Sequence, residues 1–185
     1  MVLVSMLRGV NLGPHNRVRM AELREVYESL GFSAVETYVQ SGNVAFRASG
    51  RGADRIAGRI EDGIEDRFGF RTPVVVRNAA DLRGVVARNP FAEREGIDPA
   101  KLLVHFLARE PEARARGKLQ ALPPAPEEWR LDGRELYVYF PNGMARPKLS
   151  MAQVERALGV GGTGRNWNTV LKLLELAERV EAARA

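Results

Sequence analysis

The chain contains no cysteine. Disulfides, thiolate catalysis and cysteine-based zinc sites are thereby excluded, and the cytoplasm is the expected compartment. Histidine is nearly absent too. His15 and His105 are the only two, which excludes a metal site built on three or more histidines; neither a metal nor a cofactor is expected. Lysine is scarce: Lys101, Lys118, Lys148 and Lys172 are the whole set, and arginine supplies the rest of the 28 basic side chains. The net charge of +5 permits a nucleic-acid partner. Most arginines, however, are mixed with acids, as from Arg55 to Arg67, a pattern that describes solvated helix faces rather than a basic arm. No apolar run approaches the roughly 18 residues of a membrane span, so no membrane partner is expected. The apolar start, Met1 to Leu7, has no basic segment before it and meets Arg8 at once; it reads as a first strand rather than a signal peptide. Phosphate-binding loops of the Gly-x-x-x-x-Gly-Lys-Ser/Thr and Gly-x-Gly-x-x-Gly types are missing. Ser41 precedes Gly42 in a hairpin turn rather than in a strand-to-helix elbow. Whether the protein is an enzyme is left open by these residues.

What is present is a well-patterned soluble chain of 185 residues, 45% apolar and 28% charged, long enough for one domain or two small ones. Val2 to Leu7 is apolar at nearly every position, as in a strand buried on both faces. Met20, Leu23, Val26, Tyr27 and Leu30 recur at helical spacing and stop at Gly31. Val35 to Val39 and Val44 to Ala48 predict a hairpin about Gln40-Ser41-Gly42-Asn43. Ile56, Ile60, Ile64 and Phe68 predict a second helix, and Pro73 to Arg77 a strand. The order strand, helix, strand, strand, helix, strand is the ferredoxin-like arrangement. A short helix, Asp81 to Arg88, leads to Asn89-Pro90-Phe91. The order then starts again: a strand from Lys101 to Leu107, a helix from Pro111 to about Leu122, a stiff connector at 123–126, and strands Glu128 to Leu131 and Glu135 to Phe140 about Asp132-Gly133. Ser150 is placed to cap a helix carrying Met151, Val154 and Leu158. The glycine-rich run from Gly161 reads as a short strand or a loop, followed by a last helix. The fold class is therefore α+β, with two ferredoxin-like split βαβ halves, the second followed by a C-terminal helix. The expected segments are 1–78, a connection at 79–100, and 101–185.

Two stretches concentrate polar side chains where a ligand could be held. In the split βαβ order the first strand and the second strand of the hairpin are antiparallel neighbours. The loop after the first strand, with Arg8, Asn11, His15, Asn16 and Arg17, then shares one end of the sheet with Gln40, Ser41 and Asn43. Glycines at 9, 13 and 42 would let a ligand approach the backbone, although turns are made of the same residue types. The other stretch is Arg165-Asn166-Trp167-Asn168-Thr169, at the entrance of the last helix. Free N–H groups and the helix dipole favour an anion there, with Arg165 as a forked donor. The competing reading is a cap, Asn166 or Asn168, beside a packed Trp167. His105, amid Leu103, Val104, Phe106 and Leu107, reads as a structural strand residue.

Several of these blocks together carry a resemblance. Leu7-Arg8-Gly9-Val10-Asn11-Leu12-Gly13, Met20-Ala21-Glu22-Leu23, Gly31-Phe32 and Thr37-Tyr38-Val39-Gln40-Ser41-Gly42-Asn43-Val44 resemble the signature of domain-of-unknown-function family 1697. Asn89-Pro90-Phe91 and Thr163-Gly164-Arg165-Asn166-Trp167-Asn168-Thr169 resemble its later blocks. Pro14-His15 and Gly164 depart from the pattern. The resemblance implies a bacterial cytosolic protein of α+β fold with ferredoxin-like parts, and implies no reaction.

Three functions compete. The first is a protein binding a small anionic ligand, phosphate- or nucleotide-like, with or without catalysis, through Arg8, Asn11, Asn16, Gln40, Ser41, Asn43, Arg165, Asn166 and Asn168. The second is a nucleic-acid-binding protein using a ferredoxin-like sheet, for which Phe46, Tyr137 and Tyr139 would be the stacking aromatics. The third is a structural or interaction module. The oligomeric state is left open.

Overall fold

The computed structural model describes residues 1–50, 52–123 and 125–183. Pro124, in the expected connector, lies outside them. The described chain forms two compact units, Met1–Gly84 with Leu171–Ala185, and Val85–Val170. Residues 171–183 group with the first unit.

The first unit holds strands β1 (Val2–Leu7), β2 (Ser33–Tyr38), β3 (Asn43–Arg47) and β4 (Val74–Asn78), with helices α1 (Met20–Ser29) and α2 (Ala53–Phe68). The sheet order is β2-β3-β1-β4, and β1 pairs antiparallel with both β3 and β4. This is the ferredoxin-like order. Leu3 to Leu7 are all buried, as a run apolar at every position but Ser5 predicts. Tyr27 of α1 packs edge-on to Phe46 at 5.1 Å between ring centroids, and its hydroxyl meets Ser5 Oγ at 2.6 Å in the interior. That partner answers the polar tip of a fully buried ring, and burial raises the phenol above its usual range. α2 presents Ile56, Ile60 and Ile64 to the core. At Gly63 a Cβ would stand 3.0 Å from Val26 Cγ1, so glycine lets α1 and α2 approach. The C-terminal part of helix α6 (Trp167–Ala182) belongs to this unit: Arg179 pairs with Glu36 at 2.7 Å, and Arg47 donates to the Val180 carbonyl at 2.7 Å.

Helix α3 (Ala79–Ala87) starts where Asn78 and Asp81 bond reciprocally, Asp81 N–H to Asn78 Oδ1 at 2.7 Å and Asn78 N–H to Asp81 Oδ2 at 3.1 Å.

The second unit repeats the order with β5 (Leu102–Leu107), α4 (Ala115–Gln120), β6 (Glu128–Asp132), β7 (Glu135–Tyr139), α5 (Met151–Leu158) and β8 (Gly162–Asn166), and sheet order β6-β7-β5-β8. Its core gathers Leu107, Leu119, Leu136, Val138, Val154 and Leu158. Ser150 and Gln153 form a capping box, and Gly159 ends α5 in the left-handed conformation at φ 64°. One expectation is corrected here, and one open alternative is resolved. The helix expected from Pro111 is α-helical only over Ala115–Gln120. Glu112, Ala113 and Arg114 are exposed, so no buried side chain holds an earlier turn, and Ala115 and Leu119 alone anchor the element. The glycine-rich run is a strand, pairing with β5 from Leu107↔Gly162 to Leu103↔Asn166. Glycine is required there: a Cβ on Gly162 would lie 2.4 Å from the Phe106 carbonyl oxygen and 2.9 Å from His105 Nε2.

Candidate functional site

The loop from Arg8 to Arg19 is held by its own residues. Val10 and Val18 are buried and anchor its two sides. Between them Asn11, at φ 56°, exhausts its amide: Nδ2 donates to the Val18 carbonyl at 2.9 Å and to the Gln40 carbonyl at 2.7 Å, while Oδ1 accepts the Val18 N–H at 2.9 Å. Asparagine is among the few non-glycine residues that enter this conformation readily. One side chain thus closes the loop and ties it to the hairpin turn. The backbone adds Leu7 N–H to Gly42 carbonyl at 2.9 Å and Arg8 N–H to Pro73 carbonyl at 3.0 Å. Gly42, at φ 68°, admits no side chain, because a Cβ would come 2.7 Å from both Leu7 Cβ and Val10 Cγ2. The expectation that the loop and the turn share one end of the sheet is met.

The same bonds sort the candidate residues. Asn11 and Asn43 are internal braces. Asn43 is buried on β3 and its Nδ2 donates to Ser41 Oγ at 2.7 Å. Arg8, His15, Asn16, Arg17 and Gln40 are exposed at the tip, with Ser41 half-buried. Neither 8–21 nor 37–47 contains an acidic residue. The acids of α2 on the Thr72 side of the loop are occupied: Arg71 holds Glu61, Asp62 and Glu65 within 3.0 Å, and Thr72 Oγ1 donates to the Arg8 carbonyl.

Two residues at this tip escaped the sequence reading. Leu12 is 84% exposed and Val39 is 53% exposed, and they flank the bonded pair Asn11 and Gln40. Val39 also sits at φ 48°. A β-branched residue is strained there by about 1–2 kcal/mol. In sequence it looked like the last residue of a strand; nothing in its neighbours signals a left-handed backbone.

The second stretch is built differently. Asn166 caps α6, its Oδ1 accepting the Asn168 N–H at 3.0 Å, while its Nδ2 reaches the Ala100 carbonyl at 2.9 Å. Trp167 is the first helical residue and is buried. Arg165 lies on β8, 8% exposed. Its Nη1 donates to Thr163 Oγ1 at 2.7 Å and to the Gly164 carbonyl at 2.8 Å, back along its own strand. Burial brings its pKa down to about 10, which leaves it protonated at neutral pH. Asn168 is exposed. Arg8, Asn11, Asn16, Gln40, Ser41 and Asn43 belong to the first unit, and Arg165, Asn166 and Asn168 to the second.

His105 is buried and its Nε2 meets Glu155 Oε1 at 3.0 Å; the same oxygen accepts the Gly162 N–H at 3.0 Å. This latch joins β5, α5 and β8. Glu155 carried no signal in sequence, because it looks like any polar residue on a helix. The sheet aromatics are buried as well. Phe46 packs with Phe32 at 4.8 Å, Tyr137 donates to the Val85 carbonyl at 2.8 Å, and Tyr139 stacks on Phe91 at 6.0 Å. None offers an open face to a base. Among the described residues no cluster of three or more His, Cys, Asp or Glu is placed to hold a metal ion, and no helix is long and apolar enough to cross a membrane.

Comparison with known proteins agrees with this architecture. The model of the family described as protein of unknown function (DUF1697) matches residues 1–137, and the chain belongs to that family. Its fold is similar to that of the conserved bacterial protein SP0830 from Streptococcus pneumoniae, with a TM-score of 0.72 at 20% identity, over 95% of this chain and 98% of that one. No curated protein matches.

Proposed function

We propose that this DUF1697 chain binds a small ligand carrying an anionic group, phosphate-like in charge and shape, at the tip formed by Arg8–Arg17 and Gln40–Ser41. The observation that carries this reading is the way Asn11 engages its whole amide in pinning the loop to the turn. The exposed side chains of Arg8, Asn16, Arg17 and Gln40 are then held at one end, in segments free of carboxylates. Paired arginines are suited to phosphate oxygens, and glycines leave N–H groups accessible. Leu12 and Val39 add apolar surface, which fits a ligand with an apolar or ring portion beside its anion. In this reading Arg165, Asn166 and Asn168 build the entrance of α6, and the nucleic-acid alternative loses its stacking surface.

A thermal-shift series with inorganic phosphate, nucleotides and sugar phosphates tests the reading. A ligand at 100 times its Kd stabilises the folded state by about 2.7 kcal/mol. Arg17→Ala should keep the unliganded melting temperature and lose the ligand's shift, and Arg8→Ala should lose that shift as well. If no anion raises the melting temperature of the wild type, the proposal fails.

A further inference from the structure

The second unit carries a surface that owes nothing to that tip. β6 is an edge strand, paired on one side only, with β7. The two-residue loop Gly133–Arg134 makes Asp132 and Glu135 the closing hydrogen-bonded pair. Counting back, Glu128 and Arg130 also turn their main-chain groups to β7, while Trp129 and Leu131 turn theirs outward. Both outward carbonyls are covered by guanidinium groups. Arg130 Nη1 donates to the Trp129 carbonyl at 2.8 Å, and Arg116 Nη2, from α4, to the Leu131 carbonyl at 2.9 Å. Among the described residues no side chain covers the outward N–H groups of Trp129 and Leu131. Their side chains are only half-buried, and with Arg116 and Gln120 they line a groove of about 440 Å³.

The charge of this edge is one-sided. Its carboxylates are engaged: Glu128 by Arg94 at 2.6 Å, Asp132 by Arg88 at 2.7 Å, and Glu127 by the N–H groups of Lys148 and Leu149 at 3.0 and 3.2 Å. Arg116 and Arg130 are exposed and bonded to carbonyls rather than to carboxylates. Charge on a strand edge discourages indiscriminate pairing. A second copy of the chain would bring the same two arginines, with its own acids already held. An extended segment with carboxylates on both faces answers every feature: its acids take Arg116 and Arg130, its N–H groups take the released carbonyls, and its carbonyls take the N–H groups of Trp129 and Leu131. We infer that the outer edge of β6 is a docking site for an extended acidic segment of a partner protein, added as a fifth strand and admitted by Arg116 and Arg130.

The test follows amide hydrogen exchange by NMR on the intact chain, with the capped hexapeptide acetyl-Val-Thr-Glu-Glu-Thr-Val-amide as probe. The Trp129 and Leu131 amides should slow by about tenfold or more when the peptide is in excess. The Lys-Lys analogue of the peptide should slow neither, and the effect should fade with added salt. R116E/R130E should keep its circular dichroism and lose the protection; if that variant does not fold, R116Q and R130Q should each weaken it. Unchanged exchange at millimolar peptide, equal protection by the lysine peptide, or protection that instead grows with protein concentration and so reports self-pairing would each overturn the inference.

Discussion

The two units place the same backbone device at the same point and then diverge. In the first, Leu7 N–H bonds the Gly42 carbonyl and Arg8 N–H the Pro73 carbonyl; in the second, Leu107 N–H bonds the Arg134 carbonyl and Ala108 N–H the Gly161 carbonyl, all at 2.9–3.0 Å. Leu7 and Leu107 are both buried at the ends of their first strands. Beyond that point the first unit runs through a long loop, braced by Asn11 and bearing exposed cations and a strained valine. The second runs from Leu107 to a short helix at Ala115, and its hairpin turns later about Gly133–Arg134. Its buried polar groups, His105 with Glu155 and Arg165 with Thr163, face inward. Equal topology therefore does not mean equal surfaces. The scaffold is repeated, and the difference lies in the loops it carries.

Substitutions can break this comparison, beginning with the largest effect. Gly162→Ala should cost the second unit about 3 kcal/mol or more, since the added Cβ meets a backbone oxygen that cannot swing aside. Chemical denaturation would measure it, and a loss below about 1 kcal/mol would mean that β8 and β5 separate easily. Asn11→Ala should cost about 2–3 kcal/mol, from three hydrogen bonds and a left-handed alanine. Val39→Gly should move the other way. It relieves the backbone and stabilises the fold by roughly 1 kcal/mol, while weakening any ligand that uses the apolar side chain. A loss of stability at Val39→Gly would show that the valine is there for packing. The smallest effect is expected at Arg165→Met, within about 1 kcal/mol of wild type, because the apolar body is kept and a buried charge is removed. A drop of several kcal/mol would show that the bonds to Thr163 and Gly164 outweigh the cost of burial.

The fold was legible because it is written in short-range periodicity. Ile56, Ile60 and Ile64 announce α2, and the Asp132-Gly133 turn announces the β6–β7 hairpin. α4 was overdrawn because Pro111 is a good first residue for a helix whether or not a core holds that turn. The grouping of residues 171–183 with the first unit is a long-range fact, decided by pairs such as Arg179 with Glu36, and no local pattern reports it. The candidate site was legible as a place and not as a division of labour. An asparagine that offers its amide to a ligand and one that engages it in the fold are the same letter, and Asn11, Asn43 and Asn166 proved to be of the second kind. Val39 was invisible for a related reason: its backbone angle is imposed by the turn and not by the residue.

The measurement that bears most directly on the central claim is a backbone-amide NMR titration of the wild-type protein with inorganic phosphate and with a nucleoside monophosphate. Saturable shifts confined to Arg8–Arg17 and Gln40–Gly42, with Gly161–Asn168 unmoved and the response abolished in Arg8→Ala/Arg17→Ala, are the expected result. Saturable shifts centred on Gly161–Asn168, or none at the first-unit tip up to tens of millimolar ligand, would contradict it.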